Sequence, residues 1–312
     1  MTIIERTSSP NPKVHVDQKA IKRRHPSWWI GGAIIALLVL AFARVLVTNE
    51  NLQWPVVFQY LFAPEILSGL GRTILLTVIA MVIGLFIGVI VAVMRLSDNP
   101  VFQWVSLGWI WFFRGVPPLV QLVLWYNLAL IFPELKLGIP FGADLMSWDT
   151  NTVITPFSAA ILGLALTESA YAAEMIRAGI QAVSGGQTEA AASLGMTRGQ
   201  TLRKIVLPQA IRIVIPPIGN DTISMLKFTS LVSVLALPDL LYSAQMIYAR
   251  TYQTVPLLIV ATLWYLALAT ILTFALHVVE KRLKRRNDAA IKGAGRTWRD
   301  AFRFSVGKER SL

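Results

Sequence analysis

Six stretches of this chain are apolar for long enough to cross a bilayer as helices: Trp28 to Val47, Ile66 to Met94, about 102–132, about 156–180, about 220–240, and Pro256 to Val279. A helix rises about 1.5 Å per residue, so roughly 20 apolar residues cross the roughly 30 Å hydrocarbon layer. No soluble core of this size could hide all six. Of the 312 residues 55% are hydrophobic and only 15% charged, and the mean hydropathy is +0.58. The pattern predicts an all-α, polytopic transmembrane helical bundle. The first run admits a second reading, because Ala41-Phe42-Ala43 resembles the cleavage site of a secretory leader. Its long basic lead and its length favour a retained anchor over residues 28–47, and the later spans keep their orientation either way.

A net charge of +12, from 29 Lys and Arg against 17 Asp and Glu, points to nucleic acid or to a membrane surface. The distribution decides between them. Six basic residues lie in 1–27, one is Arg95, five fall between 177 and 219, and eleven follow residue 280, so 23 of the 29 share one face of a six-span bundle. Cytoplasmic segments carry such an excess. Both termini, the disordered basic tail 1–27, the basic tail 281–312 and the stretch between spans four and five are therefore expected in the cytoplasm. Anionic membrane lipid, not nucleic acid, is the expected counter-charge. There are no cysteines, and His15, His25 and His277 are not spaced as a metal pair, so neither a disulfide nor a metal site is expected.

Polar residues inside the spans are few. Gly84 and Gly88 form a GxxxG pair whose expected role is close helix packing. Arg114-Gly115-Val116-Pro117-Pro118 joins a charge to a helix break, and such a kink needs cover from protein or a cavity. Thr167 and Glu168 lie near the middle of the fourth span, about 18 Å from either end at about 1.5 Å per residue. An ionisable group at that depth is costly and marks a functional site by default. Thr167, Glu168 and Arg114 are the candidate substrate path, with Glu168 suited to an ammonium or a cationic side chain. The competing reading pairs Glu168 structurally with Arg114 or Lys227. Glu174 and Arg177, spaced i to i+3, predict a local ion pair. Residues 133–155, with Pro133, Gly138, Pro140 and Gly142, predict a polar loop, and a second loop is expected from about 240 to 255.

Between spans four and five, Ser184 to Asn220 carries a denser set of signals. Ser184 with Gln187, and Thr197 with Gln200, are capping-box patterns that start helices near 185 and 198. Gly195 between them supplies a left-handed stop. Ala190, Ala191 and Leu194 make one narrow apolar face, and Leu202, Ile205 and Val206 another. Pro208 is expected to end the second helix, and Pro216 with Pro217 to reset the chain before the next span. The product is a helical hairpin whose alanine-surfaced first arm lets another protein approach closely.

Glu189-Ala190-Ala191, three residues, Gly195, nine residues, Ile205, one residue and Leu207-Pro208 resemble the EAA loop of ATP-binding-cassette importer permeases at every fixed position. A narrower likeness, over about 66–280, is to polar amino acid permeases of the histidine/glutamine type. It is carried by Phe113-Arg114-Gly115-Val116-Pro117-Pro118-Leu119-Val120-Gln121-Leu122, where the family usually has Thr-Pro-Leu after the Gly, by the run from Ala170 to Ile180, by Gly186-Gln187-Thr188-Glu189-Ala190-Ala191, by Leu207-Pro208-Gln209-Ala210 and by the run from Lys227 to Ser233. Phe228 departs from that family, which often has Asp there. The resemblance implies the type I importer permease fold over 66–280, with a five-helix core and residues 1–50 as an addition. It implies amino-acid import across a bacterial plasma (inner) membrane.

The same resemblance implies a coupling loop over 184–208, in which Glu189, Ala190, Ala191, Gly195, Ile205, Leu207 and Pro208 engage a separate ATPase subunit. A second permease copy, identical or paralogous, and an extracytoplasmic solute-binding protein complete the implied assembly. No GxxxxGK[ST] phosphate loop occurs, so this chain is expected to be no enzyme and to bind no cofactor, with ATP and Mg on the partner. A permease for another small polar solute and an ion-driven secondary transporter are the alternatives. Inverted repeats would mark the latter, and none is evident.

Overall fold

The computed structural model describes residues 26–139, 144–183 and 185–308, with side chains from 29 to 284. The chain divides into two compact units, 1–50 and 51–312. The first holds helix α1, Pro26–Thr48, in which Trp29–Thr48 has a mean hydropathy of 2.6 and is long enough to span a membrane. The tail expected over 1–27 lies outside the described residues except for its last two, which open α1.

The second unit begins ahead of the boundary expected at residue 66. Its helices are α2 (Trp54–Leu61), α3 (Pro64–Leu96), α4 (Pro100–Gly115), α5 (Pro118–Tyr126), α6 (Thr150–Val153), α7 (Pro156–Gln181), α8 (Gly185–Ser193), α9 (Arg198–Thr201), α10 (Leu207–Phe228), α11 (Leu240–Thr251) and α12 (Thr254–Lys308). Prolines 64, 100, 118 and 156 each open a helix, where the missing N–H would have no helical partner in any case. Side-chain caps reinforce several starts. The Asn99 carboxamide oxygen accepts from Val101 N, Thr155 and Ser158 cap each other reciprocally, and Asp239 accepts from Tyr242 N. Helix α2 is too short to span, and it settles on α12, where Trp264 Nε1 donates to Leu61 O at 2.8 Å.

The centre of the bundle is α7 lying against α3. Leu76, Ala80 and Met81 of α3 meet Ala159, Ala160 and Leu164 of α7, and Leu122 of α5 and Met225 of α10 close the cluster. Lower on the same contact, the glycine pair brings the two backbones together. A β-carbon at Gly84 would lie 2.5 Å from Glu168 Cγ, and one at Gly88 would lie 2.7 Å from Ala172 Cβ. Without a hydrophobic force between helices in lipid, such small-residue contact is what holds them.

Four helices are long and apolar enough to cross a membrane singly, and six spans result if two bent pairs each count as one. Spans three and five are thus broken. Helices α4 and α5 meet at 100°, because neither Pro117 nor Pro118 can donate to continue α4. The Arg198–Leu235 segment meets α11 at 44°, after a tight 3-10 stretch, Thr229–Leu235, that ends on left-handed Ala236. Helix α11 occupies what was expected as a loop.

Three further expectations are corrected. Pro208 does not stop its helix: α9 runs through a wide π turn at Leu202–Val206 into α10, with Leu207 N bonded to Leu202 O. The widened turn makes room for the proline ring one residue later, and Pro216 and Pro217 are likewise carried inside α10. Residue 280 is no structural boundary either, since the α12 backbone continues to Lys308 through a sequence rich in good helix formers. The polar loop at 133–155 contains an antiparallel hairpin, β1 (Glu134–Gly138) on β2 (Asp144–Asp149), in register from Glu134 opposite Asp149. Lys136 spans it to Asp144 at 2.8 Å, an exposed pair of small energetic weight.

Candidate functional site

The break between α4 and α5 leaves backbone carbonyls that a membrane interior must satisfy. Gln121, fully buried on α5, does so: its Nε2 donates to Phe113 O at 3.0 Å and to Val116 O at 2.9 Å. Its Oε1 lies 3.1 Å from Thr167 Oγ1 and Gly163 O lies 2.7 Å from the same oxygen, so the two acceptors share the single hydroxyl hydrogen. Thr167 is 3% exposed, so its hydroxyl is spent on tying α7 to the break and faces no opening. Replacing Gln121 by leucine fills the space and orphans both carbonyls. The expected cost is about 2 kcal/mol, read as a lowered thermal midpoint of the purified protein. Gln121→Glu, which keeps the acceptor and loses the donors, should fall at least as far.

One residue on, Glu168 is 1% exposed and packs against Gly84. Neither Arg114 nor Lys227 pairs with it among the described residues. The carboxyl within its reach is Asp221 of α10, and Glu168 Oε1 and Asp221 Oδ2 are both buried without a hydrogen-bond partner. Two acidic side chains thus meet inside the bundle with acceptor capacity to spare. Arg114, at the end of α4, lays its guanidinium carbon 5.1 Å from the centre of the Tyr171 ring. Glu174 and Arg177 form a closely bonded pair, with Nη2 to Oε2 at 2.6 Å and Nε to both oxygens at 3.2 Å.

A second cluster lies between α7 and α10. Gly195 has φ +75 and ends α8 in a Schellman turn, in which Met196 N donates to Ala191 O at 3.1 Å and Gly195 N to Ala192 O at 2.9 Å. Thr197 and Gln200 cap α9 reciprocally. The cap expected from Ser184 lies outside the described residues. Glu189, Ala190 and Gly195 face outward with Leu194, which is 81% exposed, whereas Ala191 turns inward at 2%. Ile205 is half-buried, and Leu207 and Pro208 are exposed. Gln209 Nε2 donates to Gln187 Oε1 at 2.6 Å and to Ile205 O at 2.9 Å, so the hairpin is tied directly to the long helix that carries Asp221.

Asp221 and Gln121 are the residues that reading the sequence missed. The signal for Asp221 was present, an acid inside an apolar segment. Starting span five at 220, behind Pro216-Pro217, put that acid at a presumed helix end, whereas it sits two-thirds of the way along α10.

Residues 84–285 match the model of the family described as binding-protein-dependent transport system inner membrane component. The chain is 41% identical over 280 residues to the arginine transport system permease protein ArgU of Corynebacterium glutamicum, covering 89% of this chain and 85% of that protein. It is 34% identical to the probable amino-acid ABC transporter permease protein YckA of Bacillus subtilis, over 75% of this chain and 97% of that one. A crystal structure described as an amino acid ABC transporter with histidines matches with a TM-score of 0.61 and 38% identity, over 71% of this chain and 95% of the other. A helical membrane bundle, matched by the family model over most of its length and by these relatives over more, this chain belongs to the binding-protein-dependent transport system inner membrane components, the permease subunits of ABC importers.

Proposed function

We propose that this permease imports an amino acid across the plasma membrane of a bacterium, with both termini in the cytoplasm. Energy comes from ATP hydrolysed with Mg on a separate ATPase subunit, which docks on the hairpin of α8 and α9. The single observation that carries the reading is that hairpin. Its outward face of Glu189, Ala190, Leu194 and Gly195 lets a partner approach closely, and the Gln187 to Gln209 bond joins it to α10. Movement of the docked arm therefore pulls on the helix bearing Asp221. A solute-binding protein delivers the substrate, and a second permease copy, identical or paralogous, completes the path. Glu168 and Asp221 bind the ammonium or a cationic side chain of the substrate, once α10 swings away from α7 and opens the pair to water.

Reconstitution with a partner ATPase and solute-binding protein tests the reading. Uptake of radiolabelled amino acids into proteoliposomes should require ATP and survive an ionophore, and uptake that follows an ion gradient without ATP would make the chain a secondary transporter. In the same assay Glu168→Gln should cut uptake roughly tenfold, the size expected for losing a charged hydrogen-bond acceptor. Unchanged rate and substrate preference would remove Glu168 from the path.

A further inference from the structure

Arg114 is exposed although it closes α4 about 21 Å from the start of that helix at Pro100. Arginine is costly against hydrocarbon, so at this depth it faces water or a polar ligand. Stacking on Tyr171 fixes the plane of its guanidinium and leaves the N–H fork open. Glu174 lies close enough to feel the charge of Arg114, but among the described residues no side chain hydrogen-bonds to the fork. Glu174, one turn further along α7, is already gripped by Arg177 through three bonds. The carbonyls of the adjacent break are taken by Gln121. Among the described residues no carboxylate forms an ion pair with Arg114.

One turn along α7 in the other direction stands Glu168, with Asp221 opposite. Tyr171 and Glu168 are three residues apart on α7, a spacing that sets their β-carbons about 5–6 Å apart, so the guanidinium stacked on Tyr171 and the acidic pair neighbour adjacent turns of one helix. A molecule with an anionic and a cationic end complements both.

We propose that Arg114 is the subsite for the α-carboxylate of the transported amino acid, with Tyr171 holding the guanidinium in position. The proposal rests on the amino-acid reading above and deepens it. An Arg fork bonds a carboxylate through two parallel N–H donors, and a carboxamide of the same size offers one acceptor and no charge. The subsite therefore distinguishes an amino acid from its own amide, whatever the side chain.

The test is equilibrium binding to the assembled permease–ATPase complex in nanodiscs, without the solute-binding protein, so that its selectivity does not intrude. Twenty radiolabelled L-amino acids are screened, and the one bound is competed by itself and by its α-carboxamide. On the wild type the carboxamide should compete at least about tenfold more weakly, as expected for a lost charge-assisted pair. In Arg114→Gln the amino acid should fall to the level of the carboxamide and the ratio to about one, in a complex whose thermal midpoint shows it folded. Arg114→Lys keeps the charge without the fork and should restore part of the ratio. An Arg114→Gln complex that keeps the wild-type ratio overturns the proposal and leaves the amino-acid reading standing. A wild-type complex that does not discriminate between acid and amide does the same. A folded wild-type complex that binds none of the twenty overturns both.

Discussion

Gly84→Leu is expected to yield no stably folded permease. A β-carbon at this position meets Glu168 Cγ at 2.5 Å, Glu168 Cβ at 2.6 Å and the Ala165 carbonyl oxygen at 3.0 Å. The oxygen belongs to the backbone of α7 and cannot swing aside, so α3 and α7 must separate. Overpacking of a tight interior costs typically about 1–3 kcal/mol, and a leucine driven between two backbones belongs at or above the upper end. Separation would also strip the cover from Glu168, whose burial depends on that contact. The measurement is the fraction of monodisperse protein after extraction, together with its thermal midpoint. Gly71→Leu is the matched control, because on the same helix nothing lies within 4 Å of its added β-carbon, and it should behave as wild type. A Gly84→Leu protein as stable as Gly71→Leu would mean that α3 and α7 do not meet through these glycines.

That pair shows which parts of this fold can be read from sequence alone. GxxxG inside an apolar run is a local pattern with a general physical consequence, close approach, and close approach is found at Gly84 and Gly88. The turn at Gly195 and the cap by Thr197 and Gln200 are equally local, and both occur at the expected residues. What was illegible depends on atoms far along the chain. Pro208 reads as a stop, and only the π turn before it, with Gln209 reaching back to Ile205 O, allows the helix to continue. Pro117-Pro118 announces a break, but the residue that satisfies the freed carbonyls, Gln121, is recognisable only once α5 has folded back at 100° to deliver it. Thr167 beside Glu168 reads as a polar pair with one purpose. In the fold their directions diverge: one hydroxyl faces the α5 break, and the other side chain faces α3 and α10. The hairpin at 134–149 was hidden for another reason. In β1 polar and apolar residues alternate only over Glu134-Leu135-Lys136-Leu137, and in β2 only over Met146-Ser147-Trp148-Asp149, so the period-two signal is too short to mark a strand pair between prolines and glycines.

Gly195→Arg should abolish ATP-driven uptake while the protein folds and inserts normally. The backbone at Gly195 is left-handed, with φ +75, and nothing lies within 4 Å of an added β-carbon. Within this chain the substitution therefore costs only the backbone strain, about 1–2 kcal/mol, confined to the tip of an exposed turn. That leaves the fold intact. Outside the chain the position is the apex of the surface proposed to receive the ATPase, between exposed Leu194 and the α9 cap. A long cationic side chain there holds the partner away from the small-residue face and adds a desolvated charge to the contact. Gly195→Asn separates the two effects, because asparagine tolerates the left-handed region and is short, and it should retain most of the uptake. ATPase activity measured in the same vesicles supplies the second readout. Loss of docking leaves a rate that no longer responds to the loaded binding protein, whereas a folding defect removes the complex altogether. Full uptake by a normally inserted Gly195→Arg protein would place the coupling surface elsewhere. Equal loss in Gly195→Asn would assign the effect to strain in the Schellman turn, and through the Gln187 to Gln209 bond to the setting of α10.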